Sequence, residues 1–258
     1  MLLAVDVGNS QTHLGVFKGQ ELEHEWRAAT DASRTADELA LLFGQFLDLA
    51  DLSFSRQISG VAICSVVPRA TQELREMTES YFGFEAVVVE PGIRTGIAIK
   101  TDNPREVGAD RIANAVAAHH MFDNEAVVVV DFGTAITVDA VSAKGDYLGG
   151  SIAPGIDVAA TALFSSTAQI RRVELVAPAG AIGRNTVMAV QSGIIFGTAG
   201  LVDGLIRRVM DELGEARVVA TGGLAPVVME HCELIELVEP MLTLQGLRII
   251  FERNAEAA

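Results

Sequence analysis

Two aspartates end apolar runs in the same seven-residue frame, Asp6-Val7-Gly8-Asn9-Ser10-Gln11-Thr12 and Asp131-Phe132-Gly133-Thr134-Ala135-Ile136-Thr137. The Asp-to-Gly and Asp-to-Thr spacings agree in the two copies. One Asp-x-Gly is common and caps many tight turns. A matched pair, each following an apolar strand and entering a hairpin, is far more selective. Glycine permits close backbone approach and positive φ. Asn9, Ser10, Thr134 and Ala135 follow with N–H and O–H donors around a concavity that can hold phosphoryl oxygens. An aspartate repels phosphate, so its natural partner there is a cation, usually hydrated Mg²⁺ held by oxygen ligands. Two such hairpins facing each other would grip the phosphates of a nucleotide. A third element, Thr221-Gly222-Gly223 at the end of "RVVATGG", offers a flat backbone surface for an adenosine. Neither a Walker P-loop nor a G-x-G-x-x-G follows the opening strand.

A different kind of chemistry attaches to Gly108-Ala109-Asp110-Arg111, at the start of an amphipathic helix candidate, "EVGADRIANAVAAHHMF". Asp110 taken alone is a first-turn acid favourable to the helix dipole, and Arg111 a surface cation. Beside a nucleotide cleft the pair reads differently. Phosphoryl transfer to an alcohol needs alignment, charge stabilisation and a base for the hydroxyl proton. Asp110 is the candidate base. Arg111 can pair with a substrate carboxylate or with developing phosphate charge. The tandem His119-His120 further along cannot share a metal, because adjacent helix positions face different ways.

The elements that must carry these groups repeat. In the first half, "LLAVDVG", "THLGVFKG" and "ELEHEWRAAT" read as strands. A helix follows over "TADELALLFGQFLDLADL", with Thr35 and Glu38 as a capping box. Then come a strand, "ISGVAICSVVP", a helix opened by Pro68, and a strand, "FEAVVVEPG". In the second half, "EAVVVVDFG", "AITVDAVSAKG" and "DYLGGSIAPG" read as three strands. A long glycine-weakened helix over "NTVMAVQSGIIFGTAGLVDGLIRRVMDELG" follows, then strand, short helix, strand and the closing helix "LTLQGLRIIFERN". The expected fold is α/β: duplicated units with mixed sheets flanked by helices, divided near residues 115–125 into 1–118 and 119–258.

Composition narrows the class. Half of the 258 residues are hydrophobic, which argues against disorder. A net charge of −15 excludes non-specific binding to nucleic acid or to anionic membrane, so a polyanionic ligand must be met locally. The two cysteines, Cys64 and Cys232, make no disulfide framework and no zinc pattern. Asp6 interrupts the first apolar run with no basic segment before it, so no signal peptide is expected. No uncharged stretch is expected to approach the ~18 residues of a membrane span. These readings lead to a cytoplasmic protein.

Two Asp-x-Gly hairpins and a late Thr-Gly-Gly resemble the actin, sugar kinase and heat-shock ATPase superfamily, built on duplicated ribonuclease H-like folds. Within it, "DVGNSQT", "DNPREVGADRIANA", "DFGTAITVD", "GGSIAPGI" and "LTLQGLRIIFERN" resemble type III pantothenate kinases in order over nearly the whole chain. The resemblance implies transfer of the ATP γ-phosphate to the terminal hydroxyl of pantothenate, the first step of coenzyme A synthesis. It implies that Asp6, Val7, Gly8, Asn9, Ser10, Gln11, Thr12 and His13 line the ATP phosphates, with Asp6 reaching Mg²⁺ through water. It assigns ATP contact to Thr134, joining Gly133, Thr221, Gly222 and Gly223. Gly108, Ala109, Asp110 and Arg111 contact pantothenate, with Asp110 as base, and Asp131 binds a monovalent cation, K⁺ or NH₄⁺. Thr186 corresponds to a second pantothenate contact that reaches the site from the partner subunit, which implies a homodimer with active sites at the interface. One position departs from the family pattern: Thr101 stands before "DNP" where the family commonly has Tyr, so the pantothenate pocket loses an aromatic wall or takes it from elsewhere. Two other readings are a nucleotide-binding regulatory relative without catalysis and a kinase for another small hydroxy acid.

Overall fold

A computed structural model describes residues 1–54, 56–123, 125–167 and 172–255. The chain forms two compact units. The first comprises 1–98, 102–117 and 242–258, and the second 99–101 and 118–241.

In the first unit, β1 (Leu2–Val7), β2 (Gln11–Lys18) and β3 (Glu21–Ala29) form an antiparallel meander. β4 (Gly60–Ser65) and β5 (Val87–Val88) add in parallel on the other side of β1, giving the order β3-β2-β1-β4-β5. β1 and β4 are central strands and bury side chains on both faces, as continuous apolar runs must. The two faces differ in residue size. Leu3, Val5, Val7, Leu14, Val16, Val61 and Ile63 meet α1 (Ala36–Asp48) and α2 (Pro68–Met77) in one core. The buried positions of α1 are Ala36, Ala40, Phe43 and Leu47, one stripe of the helix. Thr35 and Glu38 close the expected capping box, and Pro68 opens α2. The opposite face carries Ala4, Gly15, Gly60 and Ala62. Against it packs the closing helix, α7 (Leu242–Ala255), with Leu244 over Gly15 and the Phe251 ring over Gly60. Small residues on the sheet let this helix come close. The closing helix therefore belongs to the first unit, although it ends the chain.

In the second unit, β7 (Val127–Phe132), β8 (Ala135–Val141) and β9 (Asp146–Pro154) repeat the antiparallel meander, and β10 (Arg217–Thr221) and β11 (Leu237–Val238) add in parallel beyond β7. The order is β11-β10-β7-β8-β9, extended past β9 by β6 (Ala98–Ile99). The strand order of the first unit is thus reproduced. Val128, Val130, Phe132, Ile136 and Val138 pack under α4 (Ile156–Ser166), α5 (Thr186–Leu213) and α6 (Ala225–Val228). α4 carries little signal in the sequence, since "IDVAATALFSS" lies between a strand and a segment without a clear period. α3 (Ala109–Met121) carries the chain from one unit to the next.

α5 departs from two expectations. Its glycines do not break it; it runs unbroken for 28 residues. It is also long and apolar enough to cross a membrane, with half of the apolar window buried inside the protein. Val190, Ile194, Ile195, Val202 and Ile206 supply that buried stripe. Apolar residues with a packing partner in the second sheet make α5 a core helix of this unit.

Candidate active site

The two Asp-x-Gly hairpins are alike in topology but differ by one residue in their loops. β1 and β2 are joined through Gly8, Asn9 and Ser10, whereas β7 and β8 are joined through Gly133 and Thr134 alone. A one-residue change reverses the face of every following side chain. Thr137 is consequently the cross-strand partner of Asp131, while the partner of Asp6 is His13. Thr12 pairs with Val7, is buried, and shares a hydroxyl–hydroxyl hydrogen bond of 2.9 Å with Thr30. The equal Asp-to-Thr spacing in sequence does not mark equivalent positions, and the Thr12 side chain lies on the face away from Asp6.

The glycines act differently from the expectation as well. Gly8 and Gly133 keep φ outside the left-handed region; the positive value falls on Gly222, at +96°. The Gly8 amide donates to the Gln11 carbonyl at 3.0 Å, and the Gly133 amide to the Ala135 carbonyl at 3.0 Å. Both N–H groups are thus committed to their turns, leaving Asn9 and Ser10 exposed at the tip of the first.

In the first unit, tertiary structure assembles an acidic centre from three segments. Asp6 is in register with Cys64 on β4, whose Sγ donates to Asp6 Oδ1 at 3.1 Å. Burial is the largest cause that moves the Asp6 carboxyl up from 3.8 to about 6; the Cys64 hydrogen bond opposes it and the negative charge of Asp110 adds to it. Burial also drives the Cys64 thiol well above its ordinary range, with help from Asp6, so it remains a neutral donor. Asp110 thus stands near Asp6, although 103 residues lie between them in the chain. A Cβ at Gly108 would fall on Asp110 Oδ1, which also accepts from the Arg111 amide at 2.8 Å. Glycine at 108 leaves room for that carboxylate orientation. His13, on the Asp6 face, meets Glu25 at 3.2 Å; burial and then Arg27 lower its affinity for a proton.

The second unit gathers another set. Thr221 is in register with Asp131, so Thr221-Gly222-Gly223 stands beside the Asp131 turn despite 89 intervening positions. A Cβ on Gly222 would lie 2.6 Å from Asp131 Oδ1 and from the Phe132 backbone, and one on Gly133 3.6 Å from the same Oδ1. Glycine on both sides keeps a cradle open around one carboxylate oxygen. Gly155, in the "GGSIAPGI" motif, buttresses the turn: its amide donates to the Thr134 carbonyl at 3.1 Å, and a Cβ there would overlap the Gly133 and Thr134 carbonyls. Among the described residues no three His, Cys, Asp or Glu side chains cluster as a metal site. The donors present suit a cation held by one carboxylate, backbone carbonyls and water.

Thr186 is exposed at the start of α5, behind Asn185, whose side chain accepts from the Met188 amide at 2.9 Å. It borders an apolar groove of about 770 Å³ lined by Ile136, Pro154, Leu163, Ile194 and Leu201. The Thr101 methyl would meet a side chain at Gly149 at 3.6 Å, and Thr101 Oγ1 is buried without a hydrogen-bond partner among the described residues.

The sequence profile of the type III pantothenate kinase family matches residues 2–208. A type III pantothenate kinase from Streptomyces griseus is 51% identical over 266 aligned positions, covering 100% of both chains. Among solved structures, a Campylobacter jejuni protein assigned to the Baf family of transcriptional activators superposes with a TM-score of 0.61 at 20% identity, over 98% of this chain and 99% of that one. The ROK hexokinase of Thermus thermophilus gives 0.56 at 14% identity, over 100% and 99%. At such identities the two structures speak for the fold alone, that of the sugar kinases and actin-like ATPases.

Proposed function

The chain belongs to the type III pantothenate kinase family, whose members phosphorylate pantothenate in coenzyme A biosynthesis, and from that premise we propose how its own residues divide the work. Asp110 is the general base. It takes the proton from the terminal hydroxyl of pantothenate as that oxygen bonds to the γ-phosphorus of ATP and the bond to the β,γ-bridging oxygen breaks, leaving ADP and 4′-phosphopantothenate. The observation that carries this assignment is the proximity of two carboxylates with different environments, Asp6 and Asp110. The buried Asp6 ionises at an energetic cost that a positive partner would offset, whereas Asp110 begins a helix beside Gly108. Separate environments give paired acids separate roles.

Residues 6–13 form the phosphate-facing hairpin, with exposed Asn9 and Ser10 as its donors and Thr12 supporting it from the opposite face. Bound through water to Asp6, Mg²⁺ would neutralise phosphate charge. Asp131 would hold a monovalent cation, K⁺ or NH₄⁺, in the cradle between Gly133 and Gly222, and Thr134, Thr221 and Gly223 would meet the nucleotide. Gly108, Ala109 and Arg111 bind pantothenate, Arg111 by its guanidinium on the carboxylate. Thr101 borders the same substrate, and Thr186 reaches it from the partner subunit of a homodimer. The enzyme works in the cytoplasm, with no nucleic-acid or membrane partner.

The test is a coupled ADP assay with ATP, Mg²⁺, K⁺ and pantothenate. Turnover above the acceptor-free control is expected, and Asp110→Asn should lose about 10²–10⁴-fold of it while keeping its circular dichroism. No acceptor-dependent turnover, or near-normal turnover in the variant, would contradict the proposal.

A further inference from the structure

The base sits on α3, but what holds α3 is the helix that ends the chain. Thr243 Oγ1 donates to Asn114 Oδ1 at 2.7 Å, and Asn114 is only 1% exposed. Three positions on, Gly246 lies so close to α3 that a Cβ would overlap the Ala113 carbonyl. One turn of each helix therefore makes two contacts. The glycine contact sets how near the axes approach but leaves rotation and sliding open. The hydrogen bond closes those freedoms, because a buried hydroxyl–amide pair has one satisfied geometry and an unmade partner is costly.

Asn114 is four residues after Asp110, so both lie on one face of α3, about 6 Å apart along the axis. α7 is itself seated on the sheet that carries Asp6, through Leu244 over Gly15 and Phe251 over Gly60. Leu244 and Leu247 are fully buried, and Arg248, 5% exposed, is tied to both carboxylate oxygens of Glu252 at 2.8 Å. A continuous chain of contacts thus runs from the sheet through α7 and Asn114 to the turn bearing Asp110. We propose that Thr243 and Asn114 are positioning residues for phosphoryl transfer, holding Asp110 in rotational and axial register with the Asp6 centre. A purely cohesive crossing would be served by apolar residues at both positions.

This inference rests on Asp110 as the base, and the experiment separates the two claims. Thr243→Val keeps the shape and removes the donor. Its kcat for pantothenate phosphorylation should fall about tenfold or more, since misplacement by about 1 Å costs up to ~10²-fold. KM for ATP should stay within about twofold, and Thr243→Ser should restore most of the rate. In the Asp110→Asn background the same Val substitution should cost nothing further, because no base remains to be aligned. Folding is checked by the fluorescence of Trp26; if T243V does not fold, Thr243→Ala carries the same expectations. Wild-type kcat in a folded Thr243 variant, with D110N inactive, overturns the positioning role alone. So does a loss that multiplies unchanged onto D110N, which marks a structural effect. Full activity in D110N overturns the base and this inference with it.

Discussion

Asp6 offers a test in which stability and function should move in opposite directions. Its carboxyl is raised from 3.8 to about 6, chiefly by burial. The folded state therefore holds this proton more tightly than the unfolded chain does, and folding loses free energy as pH rises through the interval between the two values. At ~1.36 kcal/mol per pH unit, the full penalty is about 3 kcal/mol, reached above about pH 7. Asp6→Asn removes the charge while retaining an oxygen to accept from Cys64. The unliganded variant should be more stable than the parent by up to about 3 kcal/mol at pH 8. The gain should be about half that at pH 5 and should vanish below 3.8, where both states of the parent are protonated. Urea titrations followed at Trp26, the single tryptophan and part of the first unit's β3, read the relevant transition. A saturating ligand then reverses the comparison. At about 1,000 times Kd, Mg-ATP should stabilise the parent by ~4.1 kcal/mol and the variant by far less. Equal or lower stability of D6N at pH 8, or a gain independent of pH, would refute the reasoning that burial holds Asp6 at an energetic disadvantage.

Three further outcomes follow from the second unit. Gly222→Ala meets both a φ of +96° and the Phe132 backbone, so it should destabilise the protein by about 1–3 kcal/mol or more and weaken ATP binding, measured by urea denaturation and by nucleotide titration. Tyr147→Phe removes a buried donor 2.7 Å from Asp139 Oδ1 and should cost about 1.5–3 kcal/mol in a denaturant melt monitored by circular dichroism. Exchange of K⁺ for a bulky monovalent cation should lower turnover of the parent, and Asp131→Asn should abolish the difference between the two salts in the same ADP assay.

Most of the local order is legible in near neighbours along the chain. Apolar runs ending in Asp6 and Asp131 are strands because central strands must be apolar on both faces. Thr35 with Glu38 and Pro68 announced their helices through hydrogen bonds and φ preferences that depend on near neighbours alone. The repeated phrase announced a repeated sheet, and the order of its motifs announced the family. What failed was whatever needed a third dimension. Equal Asp-to-Thr spacing suggested equivalent threonines, but a loop one residue longer turns Thr12 into the core and leaves His13 opposite Asp6. Positive φ is absent at the Asp-x-Gly glycines and occurs at Gly222, where a side chain would also meet Asp131 and Phe132 of a neighbouring strand. Only tertiary structure brought Cys64 and Asp110 to Asp6, and only it seated the last helix on the first sheet. The reason is physical: capping and strand propensity act over a few residues. The raised carboxyl of Asp6, the hydrogen bond between Asn114 and Thr243, and the cradle beside Asp131 arise between segments whose separation in sequence carries no record of their contact.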